Sequence, residues 1–221
     1  MSFGKLYGFH GNSRSTVLLV IAKENNLDIE FAEVKPPNVD AAYLKLNPLA
    51  RVPTFVGSDG LLLTEVMAVA IYFSSQVEDT TLLGSSKADF ASIIRWMSFT
   101  NSEVLPKLGG WFRPLIGMDP FNKARVEDSK KAALKALRVL EQHLQLHTYL
   151  VIGTVTLADF FAASMLSRGF AYVLDTAWCF ENPNTTRWYK EITSLPSWKA
   201  VIPSAKMIEV ALKYPPTDGQ P

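Results

Sequence analysis

The sequence predicts an α/β N-terminal domain, residues 1–79, followed by an all-α helical C-terminal domain, residues 88–221. Three observations predict it. A strand–helix–strand succession near the start demands parallel pairing, because parallel neighbours need a crossover between them. Leu49-Ala50-Arg51-Val52-Pro53-Thr54-Phe55 then puts a proline at a strand entrance, and Ser58-Asp59-Gly60 turns the chain into Leu63-Thr64-Glu65 and a helix. Beyond Ala88 no strand pattern occurs, and apolar residues recur at helical spacing.

Lys5–Gly8 reads as the first strand and ends in a Gly-, Ser- and Asn-rich loop. Ser13 or Ser15 is suited to cap the helix carrying Val17, Leu18, Val20 and Ile21, which Asn25-Asn26 ends. Asp28–Val34 alternates, Ile29 and Phe31 against Glu30 and Ala32, as a second strand. Pro36-Pro37-Asn38 breaks the chain, and a short helix with Tyr43, Leu44 and Leu46 is stopped by Asn47-Pro48. Strands around Phe55 and Leu62 and a helix from Glu65 to Gln76 complete a thioredoxin-like order. Glu78–Ala88 reads as a linker. Ala91, Ile94, Trp96, Met97 and Leu105 follow on helical faces, while Gly109-Gly110 and Arg113-Pro114 suggest an irregular segment. Lys123–His147 is a long periodic helix with Ala133, Leu134, Leu137, Leu140 and Leu144 inward. Leu157–Tyr172 is nearly all apolar and reads as a buried central helix. Helices over Thr186–Thr193 and Ser197–Leu212 and a frayed tail from Pro215 close the chain.

A formal charge of +1 offers no electrostatic footing for nucleic acid or an anionic membrane. No apolar run reaches membrane-spanning length, and the N-terminus lacks the apolar core of a secretion signal. One cysteine, Cys179, leaves no internal disulfide framework and fits a reducing compartment, so a cytoplasmic protein is expected. Cys179 itself reads as a small buried apolar residue. No metal site or bound cofactor is expected.

Thr156-Leu157-Ala158-Asp159 is a T-x-x-D box opening the most apolar helix, a folding device worth about 0.5–2 kcal/mol. A proline at a strand entrance is either an ordinary edge-strand residue or a cis bond that leaves the Val52 backbone facing outward. In the second case an extended peptide can add there as a strand. Together these motifs resemble the cytosolic glutathione transferase family: the Val-Pro turn with Glu65 resembles its glutathione site, and the Thr–Asp box with Gly153 before it resembles its interior capping box. Lys45-Leu46-Asn47-Pro48, Leu82-Leu83-Gly84, Arg95-Trp96 with Asn101-Ser102-Glu103, Pro120-Phe121-Asn122-Lys123, and Asn184 to Trp188 followed by Leu195-Pro196 narrow the resemblance. They are similar to the transferase-like N-terminal domain of the gamma subunit of elongation factor one-B and to related fungal glutathione transferases. In the full-length subunit a Lys-rich linker and another domain follow. A stand-alone relative and a piece of that longer subunit both remain open.

The resemblance implies a glutathione transferase fold and activity, with glutathione as co-substrate, a small hydrophobic electrophile, a detoxification role and a homodimer. It equally implies a non-catalytic alternative, an interaction module holding subunits of the translation elongation machinery. Val52 would offer its backbone to the cysteinyl part of glutathione, with Pro53 in cis. Glu65 would meet the γ-glutamyl end, supported by Thr64, and Arg51 or Lys45 the glycyl carboxylate. Val66 departs from the family, where a Ser or Thr is frequent, and removes a donor there.

Conjugation needs the thiol as thiolate, so a donor or positive charge must lower a pKa that is ordinarily near ~8.5. The loop after the first strand supplies it in the family: here Ser13, Asn12 or His10 as donor, with Arg14 lending charge. Ser13 sits before a helix N-terminus, whose partial positive charge also favours an anion. Tyr7 reads as core or wall. Phe9, Trp111, Phe112 and Met118 are candidates for a hydrophobic substrate pocket between the domains, or for plain core. Lys87–Ile94 and the helix after Glu65 are the expected dimer surface.

Overall fold

The computed structural model describes residues 2–214; the expected frayed tail from Pro215 lies outside them. A four-stranded sheet has the order β2-β1-β3-β4, from β1 (Gly4–Gly8), β2 (Ile29–Glu33), β3 (Thr54–Gly57) and β4 (Leu62–Thr64). β1 pairs parallel with β2, Leu6 opposite Phe31, and antiparallel with β3, Leu6 opposite Phe55. The crossover is α1 (Ser13–Glu24); α2 (Ala41–Leu46) precedes β3, and α3 (Val66–Ser74) follows β4. Leu6, Phe55, Val69 and Phe73 fill the space between sheet and helices.

The α1 N-cap is Asn12, whose side-chain oxygen accepts from the N–H groups of Arg14 (2.9 Å) and Ser15 (3.0 Å). Ser13 and Ser15, the expected caps, are instead inside the helix and buried. α1 is buried on most sides because it is covered twice, by α3 of its own domain and by α7 and α10 of the other.

The helical part contains α4 (Lys87–Phe99), a π-helical turn (Thr100–Val104), α5 (Leu105–Leu115), α6 (Lys123–Leu146), α7 (Leu157–Tyr172), α8 (Thr176–Glu181), α9 (Pro183–Ser194) and α10 (Pro196–Val201). The segment expected to be irregular is the regular helix α5. Gly110 is needed there because a Cβ would lie 2.5 Å from Ser129 Oγ of α6, and Pro114, which cannot donate to the helix ladder, falls one residue before α5 ends at Leu115. The helix expected over Ser197–Leu212 stops at Val201: Pro203 drives Ile202 to an extended φ of −128°. α8, absent from the sequence reading, is capped by Asp175, whose carboxylate accepts from Trp178 N–H at 3.0 Å. Among the described residues no helix is long and apolar enough to cross a membrane.

α7 is the central helix. Its Asp159 is fully buried, and Oδ2 accepts from the N–H and hydroxyl of Thr156, each at 2.9 Å. Oδ1 accepts from Leu150 N–H at 3.0 Å and Trp188 Nε1–H at 2.9 Å. The T-x-x-D box thus fastens three parts of the domain as well as capping a helix. Burial pushes the Asp159 pKa up, against these donors, which favour the carboxylate.

Candidate functional site

Val52-Pro53 is a cis peptide bond, and neither Val52 N–H nor its C=O has a hydrogen-bond partner among the described residues. This unpaired stretch lies between α2 and β3. It is held from beneath by three buried polar side chains. Tyr43 OH and Asn47 Nδ2 donate to the Arg51 carbonyl, the latter at 3.0 Å, and both bond Thr54 Oγ1, at 2.9 and 3.0 Å. Burial pushes the Tyr43 pKa up, so its phenol keeps the proton it donates. The loop beside Val52 is therefore fastened to the core, while its outward polar groups stay free.

Those groups open on a cavity of about 280 Å³ bounded by Arg14, Asn47, Arg51, Val52, Pro53, Glu65, Val66 and Asn101. Glu65 stands at the α3 N-terminus with φ 66°, a sparsely populated conformation costing about 1–3 kcal/mol. Its carboxylate caps nothing within the chain. Arg14 reaches the cavity from α1, and its Nε and Nη2 donate to Asn101 Oδ1 at 3.2 and 3.1 Å. Burial lowers the Arg14 pKa, Glu65 pushes it back up and Arg51 lowers it further. A guanidinium stays charged at neutral pH regardless, so the cavity holds two cations and one exposed carboxylate. Val66 is 3% exposed and begins α3 as part of the core, with no hydroxyl for the cavity.

Thr64 ends β4 opposite Thr54, and Lys45 is exposed on the last turn of α2; neither borders this cavity.

The loop residues divide among three spaces. Arg14 borders the Val52 cavity and also a second one, of about 440 Å³, together with Asn12, Ser13, Gly109, Phe112 and Arg168. Ser13 is only 5% exposed; its carbonyl accepts from Ser164 Oγ of α7 at 2.7 Å, and its hydroxyl lies 3.5 Å from Ser167 Oγ. Asn12 has spent its side-chain oxygen on the helix cap. His10 is exposed, with its ring 4.8 Å from that of Phe31. It borders a third cavity, about 400 Å³, with Phe9, Met118, Tyr172 and Lys206. Tyr7 packs its ring 5.5 Å from Tyr43, as wall.

Of the expected apolar pocket residues, Phe9 and Met118 line the third cavity and Phe112 the second. Trp111 lines neither. It is buried on the face of α5 turned to α6, with Lys130 Nζ 5.5 Å from its ring. Successive helix residues point about 100° apart, and here Phe112 faces the second cavity while Trp111 is turned toward Lys130 of α6. Sequence reasoning gave no site role to Asn47, Asn101 or Arg168. Asn47 is recognisable only as a helix stop before proline. The partners of Asn101 and Arg168 are remote in sequence.

Comparison with known proteins extends over most of the chain. The family model described as "Glutathione S-transferase, N-terminal domain" matches residues 2–75, and "Glutathione S-transferase, C-terminal domain" matches 88–196. Glutathione S-transferase stcT of Emericella nidulans is 44% identical over 197 residues, 89% of this chain and 90% of that protein. Elongation factor 1-gamma of Artemia salina is 36% identical over 98% of this chain, which spans 50% of that protein. Among solved structures, the transferase-like domain of elongation factor 1-gamma from Saccharomyces cerevisiae has a TM-score of 0.85 at 32% identity, over 97% of this chain and 100% of that one. A Phanerochaete chrysosporium glutathione transferase solved with oxidized glutathione has a TM-score of 0.84 at 20% identity, over 91% and 96%, and so matches in fold.

Proposed function

The chain belongs to the glutathione S-transferase family, and on that premise we propose that this glutathione transferase joins the glutathione thiolate to small hydrophobic electrophiles in the cytoplasm, in a detoxification role and as a homodimer. The observation that carries the proposal is the unpaired Val52 backbone, sharing one cavity with Arg14, Arg51 and Glu65. The cysteinyl residue of glutathione pairs with Val52 N–H and C=O as a short added strand. Glu65 takes the γ-glutamyl ammonium. Arg51 takes the glycyl carboxylate, a charge-assisted contact worth about 1.5–3 kcal/mol. Lys45 and Thr64 act at most at the rim.

Thiol activation falls to Arg14, with Ser13, Asn12 and His10 as further candidates. Arg14 borders both the Val52 cavity and the Phe112 cavity, so its charge stands where the thiol must meet the electrophile. A cation there favours thiolate over thiol. The sulfur lone pair then forms the new C–S bond while a leaving group departs with its electron pair, or a conjugated π pair shifts and takes a proton from water. Phe112 and the apolar side of α5 hold the electrophile; Phe9 and Met118 extend this wall, and Trp111 is excluded from it. Ser13→Ala and Asn12→Ala, assayed beside Arg14→Ala, test the assignment: a larger loss for either of the first two moves activation to that residue.

A second reading, a non-catalytic module holding elongation-factor subunits, is favoured by one observation. The loop hydroxyl best suited to bond a thiol, Ser13, is buried against α7. Failure to bind glutathione, with co-purification of translation factors, would establish that reading instead.

A further inference from the structure

α7 is buried along its length except at Ser167, Arg168, Ala171 and Tyr172, which form one stripe at its C-terminal end. That stripe faces the two interdomain cavities, and Arg168 borders both. Its guanidinium lies 4.8 Å from the Phe112 ring and 5.7 Å from the Tyr172 ring, and Nη2 touches the Met118 sulfur at 3.1 Å. Among the described residues no carboxylate is within ion-pair distance of it. The neighbouring Arg113 makes the contrast: Asp119 binds its Nε and Nη2 at 2.6 and 2.7 Å. Asp119 is the one acid on the Phe112 cavity and is thereby occupied; the Tyr172 cavity has none, and Lys206 adds a second cation.

A half-buried guanidinium beside two aromatic rings, with one N–H of Nη2 spent on a weak thioether acceptor, keeps its other four N–H donors free. Such a group stands ready for a planar, two-oxygen acceptor. We infer that Arg168 makes this chain selective for electrophiles that carry a carboxylate on an apolar body. The inference rests on the transferase reading for the word electrophile, though not for the binding itself. The apolar body lies along Phe112 and the α5 glycines. The carboxylate pairs with Arg168 at one end of the cavity, and the reactive carbon is left toward Arg14 at the other. For a conjugated enone acid, the thiolate lone pair forms a C–S bond to the β-carbon. The C=C π pair moves onto the α-carbon and carbonyl oxygen, and water returns one proton to the α-carbon.

The test uses unreactive probes first. Phenylbutanoate and its primary amide are titrated calorimetrically into the wild type, Arg168→Gln and Arg168→Lys. The acid is expected to bind about tenfold tighter than the amide, Arg168→Gln to abolish that preference and Arg168→Lys to retain part of it. Equal binding of acid and amide, no binding of either, or a preference untouched in Arg168→Gln overturns the inference. Turnover of benzylideneacetone against its para-carboxylate then separates the two claims. Conjugation of neither, with Arg168-dependent acid binding intact, sinks the transferase reading alone. Equal conjugation of both by the wild type sinks the inference alone.

Discussion

Arg14 borders both the Val52 cavity and the Phe112 cavity, and Asn101 fixes its direction with two hydrogen bonds. Replacing Arg14 with Ala should lower kcat/KM roughly 10–100-fold, the equivalent of one charge-assisted contact. Asn101→Ala leaves the charge and frees its direction, so a smaller loss is expected, with the pH–rate profile unmoved. Steady-state kinetics over pH measure both; an unchanged Arg14→Ala profile would remove Arg14 from thiol activation. The Val52 and Glu65 part of this site was legible because proline and a helix start leave a local signature. The Arg14–Asn101 pair was not, since its members are 87 positions apart and approach only when α1 docks beside the π-helical turn. The cap was expected at Ser13 or Ser15 and lies at Asn12 for a different reason: three good capping residues stand close together, and which one becomes the cap depends on where the strand before it ends.

At the level of elements, carboxylates act as clamps between helices. Glu141 of α6 accepts from the N–H groups of Asn184 and Thr185, at 3.1 and 2.8 Å, and from Asn184 Nδ2 at 2.7 Å, capping α9 from outside. Burial pushes the Glu141 pKa up, but these donors outweigh it and hold the carboxyl below its ordinary value. A depressed folded-state pKa contributes stability that is present above the ordinary glutamate pKa, near ~4.3, and is lost as pH falls through the lower folded value. Glu141→Gln should therefore lower the melting temperature at neutral pH and flatten its fall in that acidic window; a parallel pair of curves would contradict the clamp. Asp159→Ala should cost about 3 kcal/mol or more, because it strands the Trp188 indole N–H and the Leu150 N–H in the core. Denaturant midpoints against wild type would read it. The Thr–Asp box was plain in the sequence, as was α7 itself, whose apolar run has no other reading. The end of α10 was not, because Val210 and Leu212 continue an apolar pattern that Pro203 had already interrupted.

The whole molecule is two domains joined along α1, which is why most of α1 is buried and why these cavities lie at the seam. The two-domain order followed from periodicity alone, whereas the division of the seam into separate cavities did not, since it depends on side chains of both domains. Phe90 on α4 is 38% exposed, and Ala68 on α3 is also accessible, which suits the proposed homodimer through Lys87–Ile94 and α3. Sedimentation should then give twice the 24.6 kDa chain mass, and Phe90→Glu should return it to monomer; a wild-type monomer at micromolar concentration would refute the assembly. The central claim is that the Val52 cavity both holds glutathione and ionises its thiol. A near-ultraviolet difference titration with glutathione at neutral pH tests it most directly. The account predicts a saturating thiolate band that Arg14→Ala weakens. No band, together with no heat of binding, would contradict it and leave the fold to serve as a scaffold.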